Sequence, residues 1–383
     1  MVGASRRGSP DGRGFRWDQE RLSKNLGHYT SFVFWTAAML SILSVALVGV
    51  EALGAKRWLS FGPISLQPSE FSKITVVVLS SVLMGRWQEG RIDGKTSAVL
   101  LALTSGIPMA CILVLQSDLG TTMVCAVGVI AVLWVGRAPM PIILAIVFAC
   151  LLAAFASVTL VDYRADRMAV LLNPWNDGAG GTGAGWQLIQ SRLALASGGL
   201  FGRGIGMSKA KYGYLPEAET DFIFGIIGEE CGLAGCIAVL ALFSVLLWTG
   251  IRISTKADNR ISGNIAAGLT TMLVFQAILN ISCVMGLLPT TGKPLPFVSA
   301  GGSSLLSTLC AVGLVLSVDK EKFEVEMVHA RRRSQLRVLD NGVNEMQRET
   351  KRTKSKSLAP RKTGQLSYRD SMRRSSWKPT RRK

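Results

Sequence analysis

Residues 221–251 read DFIFGIIGEECGLAGCIAVLALFSVLLWTGI: a carboxylate, then an apolar run longer than the roughly 17–25 residues a helix needs to cross a bilayer. Working outward, seven more apolar stretches of about that length lie near 29–50, 72–88, 97–117, 119–136, 139–161, 263–288 and 298–318. The spacing predicts an all-α, polytopic integral membrane protein of about eight transmembrane helices with one long extracytoplasmic loop, about 161–220. Composition agrees. Of 383 residues, 49% are hydrophobic and 18% charged, with a mean hydropathy of +0.33.

The net charge of +18, from 43 Lys and Arg against 25 Asp and Glu, sits at the ends of the chain. Residues 319–383 hold 20 basic and 8 acidic side chains and residues 1–28 hold 6 and 3, which leaves 17 and 14 for the middle. That distribution excludes a basic nucleic-acid-binding domain as the chain's main business, and no nucleic-acid partner is expected. Three parts follow: a basic N-terminal tail over 1–28, a membrane domain over 29–318, and a basic C-terminal tail over 319–383 that reads as disordered and drawn to the anionic inner leaflet. An even number of spans puts both tails on one side, and the excess of cations makes that side the cytoplasm. No short apolar run with a cleavage site marks a removable signal peptide.

Seven cysteines, an odd number, lie in or beside apolar runs and imply no disulfide framework. The two histidines, His28 and His329, fall in the tails, so proton chemistry must come from carboxylates. The glycine run from Gly198 to Gly206 superficially suggests a dinucleotide fingerprint, but that fingerprint needs a strand and a βαβ unit, and no organic cofactor is expected.

Polar groups inside a membrane region are costly, which makes them the place to look for function. Four clusters stand out. Gly54-Ala55-Lys56-Arg57-Trp58 leads to Gln67-Pro68-Ser69-Glu70 and Lys73, where Pro68 suits a first helical turn and Glu70 and Lys73 share a face; a capped helix with a local ion pair would explain as much. Gln116-Ser117-Asp118 turns the chain between two helices, and Asp118 either caps the second of them or orients a substrate or cation. The third cluster runs from Gly198 through Arg203 and Lys211 to Asp221. Behind Asp221, Gly225, Gly228, Gly232 and Gly235 give one helix face bare backbone, suited either to close helix packing or to a bulky chain sliding past the carboxylate. The fourth, Gly286 to Ser304, holds Pro289, Pro294 and Pro296. Such broken backbone survives in a membrane region only when packed in protein or lining a wet cavity, to which Thr290, Thr291, Lys293 and Ser299 would contribute.

Together the four clusters resemble the signature regions of the SEDS family (shape, elongation, division and sporulation), from about Gly54 to Leu316, and resemble its FtsW-like division branch more than its elongation branch. The family typically has ten membrane helices where this chain offers eight, the missing pair being N-terminal. Ser117, Cys231 and Ala300 stand where the family usually has proline, leucine and tyrosine. The resemblance implies a peptidoglycan glycosyltransferase that polymerises lipid II at the outer face of the cytoplasmic membrane during division, with inversion and release of undecaprenyl pyrophosphate. It implies Asp221 as the catalytic base, and substrate-binding roles for Arg57, Trp58, Gln67, Ser69, Glu70, Lys73, Asp118, Arg203, Lys211, Lys293 and Ser299. It further implies a divalent cation, Mg or Mn, with unassigned ligands. Expected partners are lipid II, the growing glycan strand, a class B penicillin-binding protein acting as transpeptidase, and other division proteins at the septum. Two rivals remain on the sequence: a lipid II flippase, since buried acids and broken helices also mark transport paths, and a non-catalytic scaffold recruiting a transpeptidase.

Overall fold

A computed structural model describes residues 32–319 except 53–54, 62–63, 160–161, 178 and 184, together with 346, 347 and 350. The expectations for the tails, 1–28 and most of 319–383, lie outside the described residues. Helix α1, Phe32–Val48, leads into a small antiparallel sheet, β1 (Val50–Ala52), β2 (Ala55–Phe61) and β3 (Ile64–Leu66), ordered β1-β2-β3. Then follow α2 (Pro68–Gln88), α3 (Gly94–Leu115), α4 (Leu119–Val135), α5 (Met140–Thr159), α6 (Asp162–Leu172) and α7 (Trp186–Gly198). The chain ends its described core in α8 (Ile223–Lys256), α9 (Arg260–Val284) and α10 (Gly302–Asp319).

Helices therefore stand at all eight apolar runs, but not uniformly. Among the described residues α3, α5, α8, α9 and α10 are long and apolar enough to cross a bilayer; α1 and α4 are shorter, and α2 carries Glu70 and Lys73 in its first turns. Pro68 starts α2, as its missing amide allows. Pro108 removes an amide from the ladder of α3, and the turn before it, Ala102–Gly106, widens to π geometry.

The centre of the bundle is α9, most of whose apolar length is buried against α2, α4 and α8. Gly128 of α4 and Gly268 of α9 let these helices nearly touch: a Cβ on Gly268 would sit 2.5 Å from a Val132 methyl and 2.6 Å from one of Val77. Around this crossing pack Val77, Val132, Leu269, Met272 and Leu273. By contrast α5 is almost wholly exposed, with Phe148, Leu151 and Phe155 facing outward. Such a surface is stable against lipid and not against water.

The long segment 161–220 carries structure of its own, since α6, α7 and a wide turn at Ala210–Tyr214 occupy much of it. The glycine face behind Asp221 is not a bare track, because α8 breaks at Gly232 (φ 65, ψ −161). Its neighbours are covered: a Cβ on Gly198 would meet the Gly228 carbonyl oxygen, and one on Gly228 would fall 2.4 Å from Leu195 of α7. The face packs against α7 and the segment after it, so the close-packing alternative holds. At Gly232 a Cβ would lie 2.4 Å from the Gly202 amide nitrogen, in a conformation that disfavours L side chains. Gly232→Ala is expected to lower stability by about 2–4 kcal/mol, the sum of left-handed strain and overpacking, read as a lower Tm in detergent. An unchanged Tm would mean the break is not imposed by packing.

Candidate active site

The first two turns of α2 bury Ser69, Glu70 and Lys73 completely. One turn apart, the Lys73 ammonium donates to Glu70 Oε2 at 2.6 Å and to Gln276 Oε1 of α9 at 2.6 Å. A second ammonium enters from the segment between α9 and α10. Lys293 Nζ donates to Asp118 Oδ2 at 2.8 Å and lies 3.9 Å from Glu70 Oε1. Gly120 makes room for the Lys293 stem, since a Cβ there would fall 2.8 Å from Lys293 Cγ. The result is an alternating row, Lys73, Glu70, Lys293, Asp118, in which each buried charge faces an opposite one.

Asp118 also caps α4, accepting from the Thr121 amide at 3.0 Å and the Thr121 hydroxyl at 2.8 Å, and it accepts from Gln67 Nε2 at 3.3 Å. Asp118 thus caps α4 and, through Oδ2, holds Lys293 as well. From β2, Arg57 donates to the carbonyls of Gln116 (3.1 Å) and Ser117 (2.7 Å), which ties the sheet to the Asp118 turn. Trp58 pairs across the sheet with Val50 and is half-buried.

Asp221 stands just before α8, half-buried, at a crevice lined by Asn280, Cys283, Thr290, Thr291, Gly292 and Lys293. Asn280 Nδ2 donates to the main-chain oxygens of both Asp221 and Lys293, each at 2.7 Å, joining the two segments. The Ser299 hydroxyl donates to the Thr220 carbonyl and accepts from the Leu295 amide, and the Ala300 amide donates to Glu219 O at 2.9 Å. Ser299 is therefore a fastener of the turn that carries Asp221. Arg167 of α6 donates to the Thr290 carbonyl; burial and Arg57 lower its guanidinium to about 10, so it stays a cation whose field reaches Asp221.

The two aspartates differ in environment. Burial raises Asp221 to about 6, with Glu217 adding to the rise and Lys293, Arg167 and Arg57 opposing it. Burial acts on Asp118 too, but Lys293 and Arg57 outweigh it and hold that carboxyl at about 2. Neighbours that push two acids apart in this way mark different roles: Asp118 is a fixed anion, and Asp221 is able to exchange a proton near neutrality.

Arg203 and Lys211 do not join this group. Arg203 lies 3.5 Å from Glu229 and Lys211 2.9 Å from Glu230, on the segment packed beside the α8 break. Charge counting along the sequence could not show that these cations already have partners. Sequence reading missed Arg167, Gln276 and Asn280. For the last two a signal was present: an amide pair one turn apart inside the apolar run 263–288, both buried.

The residues present do not fit a resident divalent ion. Among the described residues no three His, Cys, Asp or Glu side chains converge, and Glu70 and Asp118 already face ammonium groups.

Residues 19–324 match the sequence pattern of the FtsW, RodA and SpoVE group, described as cell cycle proteins. The chain belongs to the FtsW/RodA/SpoVE family. Within it, the probable peptidoglycan glycosyltransferase FtsW of Synechocystis sp. is 39% identical over 293 residues, 76% of this chain and 72% of that one. The stage V sporulation protein E of Bacillus subtilis is 39% identical over 285 residues, 74% of this chain and 76% of the other. Among solved structures, the rod shape determining protein RodA of Thermus thermophilus superposes with a TM-score of 0.55 at 27% identity, covering 78% of this chain and 81% of that one. A chain from a peptidoglycan synthase complex that coordinates polymerization and crosslinking gives 0.60 at 28% identity, with 76% and 81% covered. The family match takes in every element that carries the site, from Arg57 to Ser299, and makes this a multi-pass membrane protein.

Proposed function

We propose that this chain, a peptidoglycan glycosyltransferase of the FtsW/RodA/SpoVE family, polymerises lipid II with Asp221 as its general base, at the outer face of the cytoplasmic membrane. The observation that carries this reading is the placement of Asp221: a half-buried carboxylate at a crevice that Lys293 also lines, within the electrostatic reach of Arg167 and Arg57. Asp221 takes the proton of the acceptor sugar's hydroxyl as that oxygen attacks the anomeric carbon of the donor. The bond to pyrophosphate breaks with its electron pair, and an α-linked donor becomes a β-glycoside in one displacement. General-base assistance of this kind is worth about 10²–10⁴-fold. The positive field that Lys293, Arg167 and Arg57 set up at Asp221 favours the charge that develops on the departing pyrophosphate.

Both termini are proposed to be cytoplasmic, from the basic residues at the ends of the spans and in the tails, and the working location is proposed to be the division septum. Likeness to a chain of a synthase complex that couples polymerization to crosslinking supports a class B penicillin-binding protein as partner, with other division proteins around it.

Purified protein in detergent, given lipid II, is expected to make glycan polymer. Detergent has no compartments, so a flippase would produce none, and the absence of polymer with the penicillin-binding protein present would overturn the reading. The rate should depend on pH with a defined sign. The carboxylate is the active form and Asp221 ionises at about 6, so activity is present above that pH and falls as pH drops through it. An ordinary aspartate would put the fall near 4, and a profile flat from pH 7 to 5 would exclude Asp221 as the titrating base.

A further inference from the structure

The segment joining α7 to the 210–214 turn carries some of the most exposed apolar side chains of the molecule. Phe201 is 83% and Ile205 87% exposed, and Leu200 and Met207 are 66% exposed. This is not a loose loop. The Gly202 amide donates to Gly198 O (2.8 Å), Arg203 to Glu229 O and Gly204 to Glu230 O (3.0 Å each), and the amides of Leu233 and Ala234 of α8 return bonds to Gly199 O (2.9 Å) and Leu200 O (3.1 Å). Left-handed glycines at 199, 202, 204 and 206 make the turns.

Its height relative to the bilayer follows from α8. Beyond the Gly232 break the helix runs from Leu233 to Lys256, about 36 Å at 1.5 Å per residue, which matches the hydrocarbon core and a little more. Arg252 and Lys256 close one end, so Leu233, bonded directly to the exposed segment, marks the other boundary. Leu233, Ile237 and Leu240 form an exposed stripe down one face of α8, and the Ala234 amide donates to the Leu200 carbonyl where the exposed segment joins the helix. The polar groups at this join are matched internally: Glu229 accepts from Ser208 Oγ and the amides of Lys209 and Ala210, and Glu230 from Lys211 and the Ser208 amide. A rigid turn with its polar groups satisfied and its apolar side chains outward is suited to the lipid interface.

We infer that residues 199–207 are an interfacial anchor, with Phe201 and Ile205 inserted among the lipids of the leaflet at the Asp221 end of the molecule. The anchor fixes the height of the segment leading to Asp221 against the membrane surface from which a lipid-linked substrate arrives.

The test does not depend on the catalytic reading. The full chain in nanodiscs of phosphatidylethanolamine and phosphatidylglycerol carries photoreactive p-benzoylphenylalanine at position 201 or 205, with Leu242 in mid-α8 as the lipid-facing standard. Irradiation is expected to give phospholipid adducts at 201 and 205 comparable with those at 242. No lipid adduct, or adducts only with a co-purified protein in native membranes, would overturn the proposal. In parallel, the double variant Phe201→Ser, Ile205→Ser is expected to polymerise lipid II normally in detergent and about tenfold more slowly in nanodiscs. An equal loss in both media would instead assign the two side chains to the fold and overturn the anchor.

Discussion

Replacing Asp221 by asparagine is expected to lower lipid II polymerisation by about 10²–10⁴-fold while leaving the Tm of the protein close to the parent value. The substitution keeps the shape of the side chain and removes the base. It also keeps the bond that matters for structure, because Asn280 donates to the main-chain oxygen of Asp221 and not to the carboxylate. The carboxylate has Glu217 nearby and is costly to ionise where it stands, so neutralising it does not strand a buried partner. Polymer length on gels and a thermal melt on the same preparation separate the two effects. A scaffold that only recruits a transpeptidase would tolerate this change in cells; a polymerase would not.

Lys293→Met is expected to act the other way, on stability as much as on activity. Lys293 is buried between Asp118, at 2.8 Å, and Glu70, at 3.9 Å. Its removal leaves Asp118 without its ammonium partner and Glu70 with Lys73 alone, and breaking a buried pair by deleting one member costs about 3–5 kcal/mol. The segment 289–296 is also held through Gln276 and Asn280, so displacing it would disturb the crevice in which Asp221 stands. Polymerisation should be lost with the drop in Tm. The double variant Lys293→Met, Asp118→Asn should recover much of the Tm but not the activity, since it removes the stranded anion without restoring the cation. Recovery of neither would mean that the row of charges is not what holds this segment in place.

Much of this was legible in the sequence, because bilayer length is a strong constraint. Eight apolar runs became eight helices, and Pro68, the Glu70 and Lys73 spacing and the Asp118 cap read correctly from local rules. Asp221 and Lys293, 72 positions apart, were expected at one cavity, and the structure lines one crevice with both. What failed were features that local pattern does not encode. A glycine row spaced for one helix face looks the same whether the helix continues or breaks, and Gly232 breaks it. The segment 161–220 hid α6 and α7 because neither is long or apolar enough to stand out, and Arg167 of α6 went unnoticed with them. The three-stranded sheet beside Arg57 is too short to have a readable period. The resemblance gives Arg203 and Lys211 substrate-binding roles; the structure pairs them with Glu229 and Glu230, which are near them only in space.

The most direct test is the initial rate of lipid II polymerisation in detergent, measured from pH 5 to 8 for the parent and for Asp221→Asn. The parent rate should break near the value of about 6 at which Asp221 ionises, and the variant should be slow and flat across the range. A variant that polymerises at the parent rate with the same break would show that the proton leaves by another group.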